Sequence, residues 1–286
     1  MAQRANAAQD NKDTQERLRQ EQIQLDNRLR LIKHKLVVLS GKGGVGKSTV
    51  STNLAFAFYQ AGKRVGLLDV DIHGPSIPKM LGLEDGRVSG SEGHLLPVEL
   101  NEDLKVMSIG FLLRSNEDAV IFRGPRKYHT IRQFLKDVEW GRLDYLVIDS
   151  PPGTGDEPLT VAQSIEDADG AIVVTTPQQV AINDVRKSIS FCRSIKLPVI
   201  GVLENMSGFV CPHCGKEVDI FNRGGGEQMA LEMNVPFLGR VPLDPQVVSC
   251  GDRGEPFIQA VSDSPCAQAF HKAVEAIVRR CEGSNE

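Results

Sequence analysis

No apolar run in this 286-residue chain approaches the roughly 20 residues that a membrane-crossing helix requires, which excludes a helical integral membrane protein. The opening stretch, MAQRANAAQDNKDTQERLRQEQ, lacks the apolar core of a secretory leader. Neither sign of charge is in large excess: 33 basic residues stand against 37 acidic ones, for a net of −4. A general nucleic-acid coat needs a basic surplus that is missing here, although a local basic patch remains compatible. Internal repeats, low-complexity tracts and an obvious interdomain linker are also lacking, so one main domain is expected. What is present is ordinary for a folded chain: 41% hydrophobic and 24% charged residues exclude wholesale disorder. A chain this long buries about three quarters of its unfolded surface without covalent help. Its six cysteines, in a leaderless chain, therefore read as reduced thiols or metal ligands. The expectation is a soluble, cytoplasmic protein.

Residues 1–33 contain neither Gly nor Pro and are rich in Gln, Asn, Arg and Glu. Leu18, Ile23, Leu25, Leu29, Leu31 and Ile32 form only a loose helical stripe. The segment reads as a polar, partly helical, solvated extension, with a partner or dimer arm as the alternative. From residue 34 to 286 the pattern is that of one α/β domain. Short Val/Ile/Leu-rich runs at 35–40, 64–70, 104–110, 144–150, 170–176, 198–204 and 235–241 show little period-2 alternation, as expected of strands buried on both faces. Helix-length stretches at 47–61, 126–139, 157–166, 181–195, 226–233 and 265–281 separate several of them. That alternation predicts a doubly wound, mainly parallel sheet.

Gly41 to Ser48, in SGKGGVGKSTV, fit the phosphate-loop pattern G-x-x-x-x-G-K-[ST] after a strand and before a helix. Gly43, Gly44 and Gly46 allow backbone N–H groups, with that of Val45 among them, to turn toward phosphate oxygens. The helix starting near Lys47 aims its positive end at the same anion. Lys47 is expected on the β/γ-phosphates of ATP and the Ser48 hydroxyl on Mg²⁺. Thr49 serves either phosphate contact or the first helical turn. Asp69 and Asp71, in LLDVD, and Asp149, in DYLVIDS, fall at strand ends, where ligands bind in this architecture. Asp149 is assigned to the Mg²⁺ side through water, Asp69 to its support, and Asp71 to orienting the attacking water. A helix-capping role is the bland alternative for each.

Lys42 stands earlier than an ordinary phosphate loop requires. KGGVGKS resembles the deviant loop of the family that includes MinD, ParA, the nitrogenase iron protein and the Mrp/ApbC carriers. The resemblance implies a lysine that reaches a partner's nucleotide across a homodimer, acting as an arginine finger does.

Cys211 and Cys214, in VCPHCGK, form a C-x-x-C whose spacing lets two thiolates meet one soft metal. Two ligands do not complete a tetrahedral site, and the chain has no second C-x-x-C. Either another residue joins, or two chains contribute a pair each; the dimer implied by Lys42 favours the latter. Four thiolates would hold a [4Fe–4S] cluster or Zn²⁺, with a redox pair or a structural zinc knuckle as further alternatives. His213 reads as a surface residue and Cys192 as a buried hydrophobe. Cys250 falls in an expected loop, and Cys266 and Cys281 flank the last helix.

From about Lys35 to Pro256 the chain resembles the Mrp/ApbC iron–sulfur cluster carrier ATPases. The matching pieces are GKGGVGKST, DVDIHGPSIPKMLG, FRGPRKYHTIRQFLKDVEWGRLDYLVIDSPPGTGDEPLT, ENMSGFVCPHCG, FNRGGGE and VPFLGRVPLDP. The resemblance implies a P-loop fold of the MinD/ParA type with a C-x-x-C insertion near 205–226. It further implies slow ATP hydrolysis, a homodimer, and a labile bridging cluster passed to apo-proteins, with neither membrane nor nucleic acid expected as partner. By the same resemblance Asn205 contacts adenine, and the Pro242–Pro245 loop lies beside the base. Two features depart from the family: the extension carries no cysteine, and Arg126 replaces a usually apolar residue after RGP. With Arg123, Lys127 and Arg132 it forms either a basic patch or a solvated helix face. The competing functional class is a MinD/ParA-like positioning switch with structural zinc, in which Phe270, Val274, Ile277, Val278 and Cys281 form an amphipathic anchor.

Overall fold

The computed structural model describes residues 15–16, 19–86, 88–91, 94–112, 124–165, 167–211 and 213–283; the side chains of 91 and 124–129 lie outside that description. Leu18 and Arg123, and the side chains of Arg126 and Lys127, therefore fall outside the described residues. A helix over 19–29 (α1) leads into β1 (Ile32–Ser40), α2 (Lys47–Gln60), β2 (Val65–Asp69) and the short α3 (Ile77–Met80). A hairpin of β3 (Ser89–Ser91) and β4 (His94–Leu96) precedes β5 (Val98–Asn101) and β6 (Leu104–Ser108). The alternation continues through α4 (Gly124–Asp137), β7 (Leu143–Asp149), α5 (Asp156–Ser164), β8 (Gly170–Thr175), α6 (Gln179–Ser194) and β9 (Val199–Glu204). A second hairpin, β10 (Phe209–Val210) with β11 (Glu217–Val218), is followed by α7 (Gly225–Glu232) and β12 (Phe237–Arg240). The described chain closes with α8 (Pro245–Arg253), α9 (Phe257–Ala260) and α10 (Pro265–Cys281).

Eight strands form one sheet in the order β12-β9-β8-β1-β7-β2-β6-β5, parallel throughout except for β5 on β6. The apolar runs sit inside because they offer water no polar face. In β1, Leu36 and Val38 pack on one side, with α2 and α10, while Val37 and Leu39 pack on the other. Register decides what gathers at the carboxyl edge. Val38 pairs with Asp149, and Asp149 pairs with Asp69, so β2 and β7 end level with one another while β1 runs two residues further, to Ser40. The chain moves outward from β1 in both directions, which opens a crevice beyond these strand ends.

The expected strands and helices are present, with edges shifted by a few residues. β1 starts earlier than the apolar run, at Ile32, because Ile32 and His34 pair with Leu143 and Tyr145 of β7; Lys35 is buried beside them, its Nζ donating to the Ile32 carbonyl (3.0 Å) and pairing with Asp167 (3.0 Å). The two hairpins, the antiparallel edge strand β5, and helices α8 and α9 carry too little periodicity to announce themselves. Cys250 is a correction: it lies inside α8, buried, in a helix started by Pro245 and capped by Asp244, whose carboxylate accepts the Gln246 N–H (2.9 Å).

Segment 19–32 is less solvated than its composition suggests. Leu25, Leu29 and Ile32, spaced four and three residues apart, are buried against the sheet together with Ile131, Phe134 and Leu135 of α4. Arg28 donates to the Asp137 carbonyl (2.6 Å), and Arg132 donates to Gln22 (2.6 Å), which removes Arg132 from any free basic patch. Among the described residues of the stripe, Ile23 and Leu31, on the opposite face, are exposed. At the other end of the chain, Phe270, Ala273, Val274 and Ile277 of α10 are buried in the core shared with α2. That apolar stripe is thus spent on packing rather than presented to a membrane surface, and no described helix is long and apolar enough to cross a bilayer.

Leu29→Ala is expected to destabilise the chain by about 2–5 kcal/mol in urea unfolding, as for other buried leucines. A cost below about 0.5 kcal/mol would mean that the α1 segment is solvated.

Candidate functional site

Gly46 ends the phosphate loop at φ 80°, a left-handed conformation that glycine takes without steric cost. A Cβ there would also lie 2.3 Å from Asn205 Nδ2. At the other end of the loop, a Cβ on Gly41 would meet the Asp184 backbone of α6 at 2.5 Å. Gly43 and Gly44 are exposed, and Val45 is buried. No side chain caps the N-terminus of α2, so its first-turn N–H groups have no capping side chain and face the crevice. An uncapped helix start behind a glycine loop fits a phosphate.

Lys47 is almost fully buried and points into the acidic cluster, 2.8 Å from Asp149 and 3.8 Å from Asp71. Asp149, at the end of β7, also accepts the Ser48 hydroxyl (2.6 Å) and the Ser51 hydroxyl (2.7 Å). Asp69 accepts the Ser108 hydroxyl (2.9 Å) and the Asp71 N–H (3.1 Å), and Asp71 accepts the His73 N–H (3.2 Å). Burial, reinforced by the charge of Asp149, raises the Asp69 carboxyl well above its usual range. Asp71 is raised mainly by burial, against the opposing pull of Lys47. Asp149 and Asp71 share the one ammonium group of Lys47, with the Asp69 carboxyl on the adjoining strand beside Asp149. The donor set of carboxylates and a hydroxyl, with this negative surplus, fits a hard divalent cation such as Mg²⁺. Ser51 was not among the expected residues, yet S-x-x-S on one helix face places it beside Ser48.

The structure brings Gly41 to Thr49, Asp69, Asp71, Asp149 and Asn205 to one crevice. Asn205 follows β9; its N–H donates to the Thr175 carbonyl (2.7 Å), and its amide donates to the Val45 carbonyl of the phosphate loop (2.9 Å). The 242–245 loop runs beside the same segment, through Ser207 N–H to Val241 O (2.9 Å) and Leu243 N–H to Gly208 O (2.8 Å). Lys42 is half-buried and forms no side-chain ion pair among the described residues.

The cysteine pair sits apart, at the tip of the β10–β11 hairpin. Cys211 N–H donates to Lys216 O (3.0 Å) and Gly215 N–H to Cys211 O (2.8 Å), closing a knuckle around the two sulfurs. Backbone N–H groups of His213 and Cys214 aimed at the Cys211 sulfur lower its pKa, the condition a metal-binding thiol requires. His213 and Cys214 are exposed, and Val210, Val218 and Ile220 expose apolar surface around them. Cys192 is buried in the core, as expected. Glu204 was missed from the sequence. Fully buried at the end of β9, it accepts N–H groups of Gly224 and Gly226 and the Ser207 hydroxyl, and it faces Arg240 at 3.7 Å. It therefore ties Asn205's strand to the loop that leaves the cysteine hairpin. Its only sequence signal is a charged residue closing an apolar run.

The family model described as ParA, NUBPL iron-transfer P-loop NTPase, matches residues 31–278. An iron-sulfur cluster carrier protein of Methanocaldococcus jannaschii is 52% identical over 274 residues, covering 96% of this chain and 94% of its own. A cytosolic Fe-S cluster assembly factor NUBP2 homolog of Nematostella vectensis is 53% identical over 253 residues, covering 87% and 94%. Among solved structures, a nucleotide-binding protein from Archaeoglobus fulgidus in complex with ADP is 41% identical at a TM-score of 0.73, covering 82% of this chain and 92% of that one. MinD of Pyrococcus horikoshii complexed with Mg-ADP is 25% identical at a TM-score of 0.65, covering 85% and 95%.

Alkylation of the reduced, metal-free native chain at neutral pH is expected to label Cys211 and Cys214 first. Cys192 and Cys266, whose thiols burial pushes up to about 12, and buried Cys250 are expected to react only after unfolding. Peptide mapping checks this, and equal early labelling of Cys192 would contradict it.

Proposed function

The chain belongs to the family of NUBPL iron-transfer P-loop NTPases, and on that premise we propose that it is an ATP-dependent iron–sulfur cluster carrier. One observation carries this reading. An uncapped phosphate-loop helix and a three-carboxylate cluster lie within one short strand-end segment of a thiol pair of which Cys211 is half-buried and Cys214 exposed. The relatives named as cluster carriers and assembly factors support the cargo, and those complexed with ADP support the nucleotide.

In this reading the backbone of Gly41 to Gly46 and the start of α2 hold the phosphates of ATP. Lys47, now on Asp149, turns to the β/γ-phosphates. Ser48, Asp149 and Asp69 would hold Mg²⁺, the aspartates through water, and the ion would supply charge neutralisation on the transferred phosphoryl group. Asp71 orients the water that attacks the γ-phosphorus. Thr49 adds a first-turn contact. Asn205, which now holds the Val45 carbonyl, exchanges that partner for adenine, so nucleotide binding is felt in the segment leading to Cys211. Two chains form a homodimer in the cytoplasm. Lys42, without an ion-pair partner of its own among the described residues, reaches the nucleotide of the second chain.

Cys211 and Cys214 from each chain supply four thiolates for a [4Fe–4S] cluster, which is the cargo. The apolar surface of Val210, Val218 and Ile220 around an otherwise half-ligated pair suits apposition to a second chain. Apo-proteins are the recipients. ATP binding favours one apposition of the hairpins and hydrolysis another, which changes how firmly the cluster is held. The positioning-switch alternative loses its proposed anchor, because the α10 stripe is buried.

Anaerobic reconstitution is expected to give about two iron and two sulfide per chain, lost in Cys211→Ser. About half a zinc per chain and no iron would replace the carrier with a structural clamp. In the same preparation Lys42→Ala is expected to keep ADP affinity but lose about tenfold or more in ATP turnover; unchanged turnover would remove the cross-dimer role.

A further inference from the structure

The opposite edge of the sheet holds a second group of metal-competent side chains that the carrier reading does not use. His34 lies near the start of β1, Asp169 just before β8, and Cys281 at the end of α10. β1 continues for six residues from His34 to Ser40, about 20 Å at strand rise, so this group is well removed from the phosphate loop. One ligand atom from each of the three residues lies within 4.8 Å of the other two, and all three are half-buried. Tetrahedral zinc, with bonds of about 2.0–2.3 Å, needs its ligand atoms about 3–4 Å apart, so a small closure suffices. We propose that His34, Asp169 and Cys281 form a zinc site that fastens the C-terminal helix to the first strand.

Three further observations favour it. A thiolate, an imidazole and a carboxylate suit a borderline-soft ion and not Mg²⁺ or Ca²⁺. Two of the ligands are already oriented from behind. The His34 ring stacks on Tyr145 with centroids 4.9 Å apart, and Asp169 accepts the Lys35 N–H (2.7 Å) through the oxygen that does not face His34. The hydrogen bond on Asp169 is the outer support that metal-binding carboxylates have, and the stack fixes the plane of the His34 ring. A cavity of about 510 Å³, bordered by His34 and Cys281, leaves a fourth position for water. The lysines on its rim are neutralised, Lys63 by Glu282 (2.7 Å) and Lys33 by Asp144 (2.7 Å). Binding would release the Cys281 proton and join segments 34, 169 and 281, and by mass action it would stabilise the folded state.

The test uses the full chain carrying Cys211→Ser and Cys214→Ser, which removes the hairpin's thiols, titrated anaerobically with Co²⁺ and then Zn²⁺. One cobalt per chain with a thiolate-to-cobalt charge-transfer band, displaced by zinc, is expected. The band should vanish on adding Cys281→Ser, and affinity should fall about tenfold or more with His34→Gln. Zinc should also raise the melting temperature of the double variant and not that of the triple one. Absence of the band in the double variant, or its survival in the triple one, overturns the proposal. If Cys281→Ser does not fold, an unchanged cobalt affinity in His34→Gln does the same.

Discussion

The buried ion pair between Lys47 and Asp149 is the interaction on which the crevice depends. Asp149 is fully buried and still receives three donors, from Lys47, Ser48 and Ser51. Breaking such a pair on one side costs roughly 3–5 kcal/mol, because the other charge stays buried and unpaired. The arrangement therefore holds the start of α2 against the end of β7 and keeps Ser48 and Lys47 aimed into the crevice. The same pair also restrains Lys47, which must find a replacement partner of like charge before it can leave Asp149. A phosphate with a divalent cation is such a replacement, since the anion takes the lysine and the cation takes the carboxylate.

A second buried carboxylate, Glu204, does for the cysteine hairpin what Asp149 does for the phosphate loop. Its oxygens receive the N-terminal N–H groups of α7, where a negative charge is favourable. Because Asn205 is the next residue, the strand end, the hairpin's exit and the phosphate-loop carbonyl are connected through adjacent groups. The chain thereby has a short hydrogen-bonded connection between the phosphate loop and the segment that carries the thiols.

Legibility in the sequence tracked how local each cause was. The glycine loop, Lys47 and Ser48 are contiguous, and their spacing alone points to phosphate binding; the C-x-x-C pair is equally local, but its spacing marks a thiolate pair without choosing between cluster, zinc and redox chemistry. The strands of β1, β7 and β8 announced themselves by continuous apolar runs. α1 was legible as a loose helical stripe but read as solvated, because Leu25 and Leu29 stand amid polar neighbours and their burial is conferred by α4 and the sheet. The stripe on α10 was readable as either an anchor or a packing face. Periodicity is the same in both cases, and only the presence of α2 beneath it decides.

Sequence by itself determined the α/β alternation, the phosphate loop, the family and the thiol pair, because each is written in residues close along the chain. The tertiary structure alone decided which carboxylates meet. Asp69, Asp71 and Asp149 converge because β2 and β7 end in register. Asn205 reaches Val45 across 160 residues, and His34, Asp169 and Cys281 gather at the far edge. Register and helix docking are set by packing between distant segments, and no local pattern encodes them.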